Sequence, residues 1–206
     1  ELMGFDSKKF RQLNNLVKNK KFLDLLIRNS SSILYFVKKK KYNSIILNYD
    51  EKSKYLFKWY QQLVAESLGK KGKGILPVIS DMPKDNHSTM QLYLDGFKKN
   101  FFTFFYCKES QANRISNKNL LKNYKFLKDC TVDDIIFKQK IATEKVFEKK
   151  DIPFRSFEID SRNEETLGEL FCYFILETIL LGKSLNVNPF DQPSVELIKT
   201  ETRKLF

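Results

Sequence analysis

The apolar and polar residues of this chain alternate between strand-like and helix-like patterns. Short runs rich in β-branched and aromatic residues are separated by longer segments in which apolar residues recur every three to four positions. The predicted strands are residues 44–49, 75–79, 101–107 and 154–159. Such alternation predicts an α/β fold with a mainly parallel sheet and helices on both faces.

Two of these strands carry a more specific signal. Residues 101–107 (FFTFFYC) are almost continuously apolar, which predicts a strand buried on both faces. Residues 75–79 contain Pro77, which has no N–H to donate to a neighbouring strand, so this strand is expected near an edge of the sheet.

The helical segments follow from the same periodicity. Residues 166–181 are almost wholly apolar and are expected to form a buried helix. The other predicted helices are two within residues 7–41, the second with a possible break at 29–32, one over 53–68, one over 86–94, a mostly helical stretch over 117–149 divided near 129–131, and one from about Asp191 to the end.

The helix over residues 53–68 holds a candidate general base. Its buried face is expected to consist of Leu56, Trp59, Tyr60, Leu63 and Val64. Glu66 lies on the flank of this face, one turn before a glycine-rich loop. A carboxylate there can be partly desolvated yet open to a ligand, as a general base requires. The alternative is an ordinary solvated glutamate.

Composition narrows the class of protein. The chain has 206 residues, enough for one core with helical additions, and its 42% hydrophobic residues exclude global disorder. A net charge of +12 favours anionic partners, and it leaves a basic nucleic-acid-binding protein as an alternative. The lysines are dispersed and no nucleic-acid-binding motif accompanies them, so no nucleic-acid partner is expected.

Metal and membrane sites are not expected. Cys107, Cys130 and Cys172 form no CxxC pair, and His87 is the only histidine, so no zinc-ligand set can be assembled. Cys107 and Cys172 lie in apolar runs and are predicted to be buried free thiols, which suits a reducing cytosol. The longest apolar run, residues 170–181, contains Glu177 and is too short to span a bilayer.

The glycine-rich stretch over residues 69–74 (GKKGKG) is not a nucleotide P-loop. Ile75 and Leu76 stand where a P-loop needs Lys and Ser or Thr, and the stretch follows a helix instead of a strand. A flexible connection between helix and strand is the expected structure.

Two further residues could take part in chemistry. His87 follows Asp85 and Asn86, either of which could cap the next helix, and in the first turn of that helix it would stay neutral near pH 7. A surface histidine is the alternative. Lys199 lies in the second or third turn of the last helix if Asp191 caps it, although it could equally form an exposed charge pair with Glu196.

Four stretches together resemble one enzyme family. The chain is similar to the second sugar-isomerase (SIS) domain and the C-terminal helix of the glucose-6-phosphate isomerase family. The similar stretches are YDEKSKYLFKWY at 49–60, QQLVAESLGK at 61–70, DNHSTMQLYLDG at 85–96 and NPFDQPSVELIK at 188–199. The resemblance implies a three-layer SIS fold, with a helical lead-in over residues 1–42, the SIS domain over 43–186 and a C-terminal helix of the same domain over 187–206.

The resemblance also implies roles for four residues. Glu66 matches the base that moves a proton between C2 and C1 of the sugar, and His87 the histidine that assists ring opening across a dimer interface. Lys199 matches the lysine near the ring oxygen, and Gln192 the glutamine of the FDQ motif, which binds substrate. No metal or organic cofactor is implied. Asn86, Ser194 and Ile198 depart from the family pattern around His87 and Lys199.

The family's phosphate-binding loop and its arginine motif are missing from the chain. We therefore expect the C-terminal part of a longer cytoplasmic, homodimeric enzyme, inactive without its first SIS domain. Its reaction would be the aldose–ketose isomerisation of glucose 6-phosphate and fructose 6-phosphate through a cis-enediol, in glycolysis and gluconeogenesis. The alternative is a non-catalytic SIS-type module with a sugar-phosphate-binding or regulatory role.

Overall fold

The computed structural model describes residues 6–11, 13–109, 115 and 122–206, with the backbone alone at residues 13, 14 and 122. Residues 117–121 of the predicted mostly helical stretch lie outside the described residues. The strands are β1 (Asn43–Asn48), β2 (Leu76–Asp81), β3 (Asn100–Cys107) and β4 (Phe154–Ile159). The helices are α1 (Ser7–Phe10), α2 (Leu13–Leu16), α3 (Lys20–Lys38), α4 (Lys54–Leu68), α5 (Met90–Asp95), α6 (Val132–Lys149), α7 (Glu164–Ser184) and α8 (Pro193–Lys204).

These strands form a parallel sheet in the order β2-β1-β3-β4. α4 follows β1, and α6 connects β3 to β4, because parallel neighbours need a crossover helix. β3 and β4 pair from Phe102 opposite Phe154 to Cys107 opposite Ile159. The predicted α/β class and parallel sheet are confirmed.

β3 is the centre of the aromatic core, as its sequence predicts. All eight of its residues are buried. The ring of Phe104 lies 5.2 Å from that of Phe147 on α6 and 5.1 Å from that of Phe154 on β4, in edge-to-face geometry. Phe102 packs on Phe147 in the same way, at 4.8 Å. Such ring pairs add about 0.5–1.5 kcal/mol each to the burial of their surface.

β2 forms one edge of the sheet, which confirms the position expected from Pro77. The carbonyl of Pro77 accepts a hydrogen bond from Nε2 of Gln61 on α4, at 2.9 Å. Leu76 N donates to Tyr42 O at 2.7 Å. A proline costs little here because an edge strand has a side with no neighbour.

The chain divides into two compact units. The first comprises the described residues up to 43, together with 58–77 and 164–206. The second comprises the described residues within 44–57 and 78–163 and holds most of the sheet. This division groups residues by proximity, and the domain boundaries expected at 42/43 and 186/187 stay a prediction.

In the first unit, α7 packs against α1 and α3. Gly168 makes the approach to α1 possible, since a Cβ at this position would collide with the carbonyl of Phe10. The ring of Phe10 lies 5.5 Å from that of Phe171, and the Trp59 ring of α4 lies 4.2 Å from the same phenylalanine. Phe171 therefore joins α1 and α4 to α7.

α3 and α7 each differ from what the sequence suggested. α3 runs without a break through residues 29–32, because its buried apolar face continues from Leu26 to Ile33 across them. The Ser32 hydroxyl bonds within the helix, to the carbonyl of Arg28. α7 is buried along one face only, and Ile175 and Leu180 are exposed. Mean apolarity does not reveal how many neighbours a helix has.

The three cysteines are free thiols. Cys107 and Cys130 are buried, whereas Cys172 is partly exposed, so the expectation of burial is confirmed for Cys107 and only partly met for Cys172. Desolvation raises the pKa of the Cys107 and Cys172 thiols. In the part of the chain that is described, no group of three or more His, Cys, Asp or Glu residues could hold a metal ion.

None of the helices among the described residues combines the length and apolar character that spanning a bilayer requires.

Candidate functional site

Glu66 lies two residues before the end of α4, at the edge of the buried face. Val64 and Leu68 are buried on the side of the core, whereas Ala65 is exposed. Glu66 itself is partly buried. The flank position predicted from the periodicity is confirmed, with Phe57 and Leu68 as further buried residues of the helix.

Two side-chain amides orient the Glu66 carboxylate. Gln62 Nε2, one turn earlier on the same helix, donates to Oε1 at 2.9 Å. Gln192 Nε2 donates to Oε2 at 2.7 Å. Each carboxylate oxygen has about two lone pairs, so each keeps capacity to accept a proton or a further hydrogen bond. The carboxylate is therefore held in one orientation and remains able to act as a base.

Gln192 comes from the loop of residues 185–192 between α7 and α8, which we call the Gln192 loop. Two lysines of the stretch after α4 bind its backbone. Lys70 Nζ donates to Asn188 O at 2.5 Å, and Lys73 Nζ donates to Leu185 O at 2.8 Å. The loop that carries Gln192 is thus attached to the segment that follows Glu66.

Asp191 does not cap α8, contrary to expectation. The N-cap of α8 is Gln192, and Pro193 occupies the first turn. The Asp191 carboxylate instead pairs with Lys70 Nζ at 3.1 Å and accepts from Asn188 Nδ2 at 3.0 Å. The hydrogen bond from Lys70, with that from Asn188, lowers the pKa of Asp191.

The glycine-rich stretch after α4 forms a tight two-residue turn. Lys70 N donates to Lys73 O, and Lys73 N donates to Lys70 O. Lys71 and Gly72 at its centre have φ of +54° and +69°, the left-handed backbone that a type I′ turn requires. A flexible connection between helix and strand was expected, and the structure shows a hydrogen-bonded turn there instead.

Lys199 lies on α8, all of whose residues are exposed. Its Nζ is 2.6 Å from Glu196 Oε1, which is the exposed pair that the sequence left open. Among the described residues, the ammonium group of Lys199 thus pairs with Glu196 and not with Glu66. A role for Lys199 near a sugar stays a prediction.

His87 is exposed and lies in a turn ahead of α5, not in the first turn of that helix. The predicted helix start near residue 86 is wrong because Asp85 holds a turn there. Its carbonyl accepts from Ser88 N and Thr89 N, and its carboxylate accepts from Asp81 N and Ser88 Oγ. His87 is therefore outside the first turn of α5, where the helix dipole was expected to act on it. His87 belongs to the second unit, and its role in catalysis stays a prediction.

Sequence reasoning missed two residues around Glu66. Gln62 could have been identified from its spacing, since a glutamine four residues before a glutamate on a helix reaches it. Lys70 gave no such signal, because its partners Asn188 and Asp191 are distant in the chain. Its side chain is only 9% exposed, although lysine is normally a surface residue.

Comparison with known proteins finds relatives that are named glucose-6-phosphate isomerase. No family model matches it. It is 33% identical to a glucose-6-phosphate isomerase of Methanocaldococcus jannaschii over 187 residues, which cover 90% of this chain and 46% of that protein. It is 32% identical to the glucose-6-phosphate isomerase of Mycoplasmopsis synoviae over 213 residues, 95% of this chain and 48% of the relative.

Solved structures share the fold. A hypothetical protein from Thermus thermophilus superposes with a TM-score of 0.83 at 24% identity, over 96% of this chain and 48% of the other. A glucose-6-phosphate isomerase from Chlamydia trachomatis superposes with a TM-score of 0.64 at 15% identity, over 80% of this chain and 34% of the other. The chain spans about half the length of these curated relatives. By sequence, the chain belongs to the glucose-6-phosphate isomerase family.

Proposed function

We propose that this chain is the C-terminal part of a glucose-6-phosphate isomerase and carries its catalytic base. The complete enzyme would interconvert glucose 6-phosphate and fructose 6-phosphate. The observation that carries the proposal is the Glu66 carboxylate, which is partly buried and receives one amide hydrogen bond on each oxygen. The names of the curated relatives support the same reaction.

In this mechanism Glu66 removes the proton from C2 of the open-chain aldose. The electron pair of the C2–H bond forms the C1–C2 double bond of a cis-enediol, and the C1 carbonyl oxygen gains a proton. The C2 hydroxyl then loses its proton as the C2 carbonyl forms, and Glu66 returns its proton to C1. Gln62 and Gln192 keep the carboxylate oriented throughout, which lowers the cost of reaching the reactive geometry.

The other proposed roles rest on the resemblance. His87 would assist opening of the sugar ring, and Lys199 would lie near the ring oxygen, which requires its release from Glu196. Gln192 would contact the substrate from its position beside Glu66. We propose no metal or organic cofactor, because acid–base chemistry suffices for the reaction.

The remaining binding functions would lie outside this chain. We propose that the first SIS domain of the same enzyme supplies the phosphate-binding loop and the arginine, and that the enzyme is a cytoplasmic homodimer of glycolysis and gluconeogenesis. The SIS-type domain over residues 43–186 would then supply the base-bearing half of each site. The coverage of the relatives, about half of their length, supports a missing domain.

An isomerase assay tests this function. Fructose 6-phosphate would be given to the 206-residue chain, first alone and then with a separately produced N-terminal half of the M. jannaschii relative, and glucose 6-phosphate would be measured. Activity in the mixture, lost in Glu66→Gln and kept in the exposed control Glu169→Gln, supports the proposal. Activity that survives Glu66→Gln contradicts the role of Glu66. An inactive mixture, with both halves folded and associated, favours the non-catalytic module.

A further inference from the structure

We propose that Lys70 is a positioning residue for the base, and that it acts by attaching the Gln192 loop to the end of α4. In this proposal Lys70 does not touch the sugar. It acts through Gln192, whose amide orients the Glu66 carboxylate. The inference rests on the proposed function for its catalytic consequence, but its structural part can be tested without any activity.

The three donors of the Lys70 ammonium match three acceptors. Nζ lies 3.2 Å from Ser67 O, 2.5 Å from Asn188 O and 3.1 Å from Asp191 Oδ1. An ammonium group has three N–H donors, so this set satisfies it. With all three donors occupied by the protein and the side chain nearly buried, Lys70 has no donor left for a substrate.

The end of α4 and the turn after it place the Lys70 side chain in this position. The last carbonyls of a helix lack an intrahelical partner, and a cation near the C-terminal end of a helix is favourable. Ser67 O is one of these carbonyls at the end of α4. The paired backbone bonds of Lys70 with Lys73 fix the direction in which the chain leaves the helix.

Hydrogen bonds within the Gln192 loop place the acceptors that bind Lys70. Asn188 Nδ2 donates to Asp191 Oδ2 at 3.0 Å, and Phe190 N donates to Asn188 Oδ1 at 3.1 Å. These bonds hold the carbonyl of Asn188 and the carboxylate of Asp191 close enough to bind one ammonium group. Lys70 therefore joins a preformed loop to a helix end.

The attachment reaches Glu66 through neighbouring residues. Asp191, bound by Lys70, is followed directly by Gln192, bound to Glu66. The residues that bind them, Lys70 and Glu66, are four residues apart in the chain. Two adjacent loop residues are thus fixed at two points, and loss of one point frees the other to move. Gln192 is exposed, so burial does not fix its side chain.

Lys71 and Lys73 provide matched comparisons. Lys71 is an exposed lysine of the same turn, so its replacement changes the net charge by the same amount. Lys73 binds Leu185 O at the start of the Gln192 loop, seven residues from Gln192. If either attachment of the loop is enough to position the Gln192 amide, neither Lys73→Met nor Lys70→Met will free it. If the attachment beside Gln192 matters, only Lys70→Met will free the amide.

The structural test uses NMR on the 206-residue chain. Through-space contacts between the Gln192 side-chain amide protons and the Glu66 side chain are measured in wild type, Lys70→Met, Lys71→Met and Lys73→Met. We expect the contacts to disappear in Lys70→Met and to persist in the two other variants, with Lys70→Arg restoring them in part. Asp191→Ala, a change at an exposed residue that spares the fold, should act like Lys70→Met. Contacts that persist in Asp191→Ala and in a folded Lys70→Met would overturn the proposal.

The kinetic test uses the mixture of the two halves described above. We expect Lys70→Met to lower kcat about 10- to 100-fold, as displacement of a catalytic group by about 1 Å does, with little change in KM. Lys71→Met should leave both constants unchanged. A purely structural role predicts a lower melting temperature with kcat unchanged per folded molecule, and that result would overturn the proposal. If the wild-type mixture is inactive, the proposed function fails, while the NMR contacts still decide the role of Lys70.

Discussion

Gln192 Nε2 donates a hydrogen bond to Glu66 Oε2 over 2.7 Å, although 126 residues separate the two in the chain. The donor stands at the N-cap of α8 and the acceptor near the end of α4. A neutral donor beside a carboxylate orients it without neutralising it, which is what a base with a fixed direction of attack requires.

Replacing this donor with a second carboxylate should disturb the base. In Gln192→Glu, two negative charges would lie within hydrogen-bond distance, so the loop must move away or one carboxyl group must take up a proton. We expect exchange of the C2 proton of the sugar with deuterated water, measured in the mixture of the two halves, to fall at least tenfold. Gln139→Glu, at an exposed amide on α6, should leave the exchange rate unchanged. Equal rates in both variants would contradict the orienting role of Gln192.

Gly168→Ala should destabilise the chain, against the usual trend for helices. Alanine normally stabilises a helix interior by about 1 kcal/mol relative to glycine. At Gly168 the added Cβ meets the carbonyl of Phe10, so α7 and α1 must separate, and we expect a net loss of about 1–3 kcal/mol. Urea unfolding measures the difference. Glu169→Ala, at the next and exposed residue of α7, should change the midpoint little, and a stabilised Gly168→Ala would show that α1 does not pack there.

Lys140→Met should be strongly destabilising because Lys140 is a buried cation. The residue is fully buried on α6, with Nζ 2.9 Å from Glu144 Oε1 and 2.5 Å from Glu158 Oε1. Its removal leaves Glu144 without a cation and Glu158 with Lys108 alone, 3.7 Å from Oε2, which costs about 3–5 kcal/mol. Lys145→Met on the same helix removes an exposed lysine and serves as the control. Equal unfolding midpoints for the two variants would refute the buried ion cluster.

Ionisation of Tyr49 should lower the free energy of unfolding at high pH. Its hydroxyl donates to Thr143 Oγ1 at 3.0 Å, and desolvation raises its pKa from 10 to about 12. A group whose folded pKa is raised stabilises the fold fully below its unfolded pKa and loses that contribution as pH rises toward the folded pKa. Between pH 8 and 12 the wild type should therefore lose about 2 kcal/mol more than Tyr49→Phe does.

The control for this titration is Tyr55→Phe, since Tyr55 is 82% exposed. The unfolding free energy of Tyr55→Phe, measured in urea at pH 8 to 12, should follow that of the wild type at every pH. If Tyr49→Phe also follows the wild type above pH 10, the phenol of Tyr49 ionises as easily in the folded chain as in the unfolded chain.

Local patterns predicted the elements well where one physical cause dominates. β4 matches the predicted residues 154–159, and the aromatic run of β3 correctly indicated burial on both faces. Pro77 correctly indicated an edge strand because a missing N–H has a fixed consequence. The start of α5 was mispredicted, since the bonds of Asp85 to Ser88 and Thr89 favour a turn over a helix that begins at once.

The candidate site was less accessible to sequence reasoning. Periodicity placed Glu66 on the flank of α4 because that depends on neighbours three and four residues away. The attachment of Gln192 and Lys70 depends on how α4 and the Gln192 loop meet, and no local pattern encodes it. The cap assigned to Asp191 was wrong for the same reason, as Lys70 competes for its carboxylate.

The composition of β3 has a consequence for the chain before it folds. Its eight residues carry no charge and include five aromatic rings, a combination that favours stacking of identical segments from different molecules when they are exposed. Lys98 and Lys99 precede the strand and Lys108 follows it, so positive charges flank the run at both ends. Mutual repulsion of these lysines opposes such stacking during synthesis and refolding. They therefore protect the chain against aggregation before it folds, and this role ends once β3 is buried.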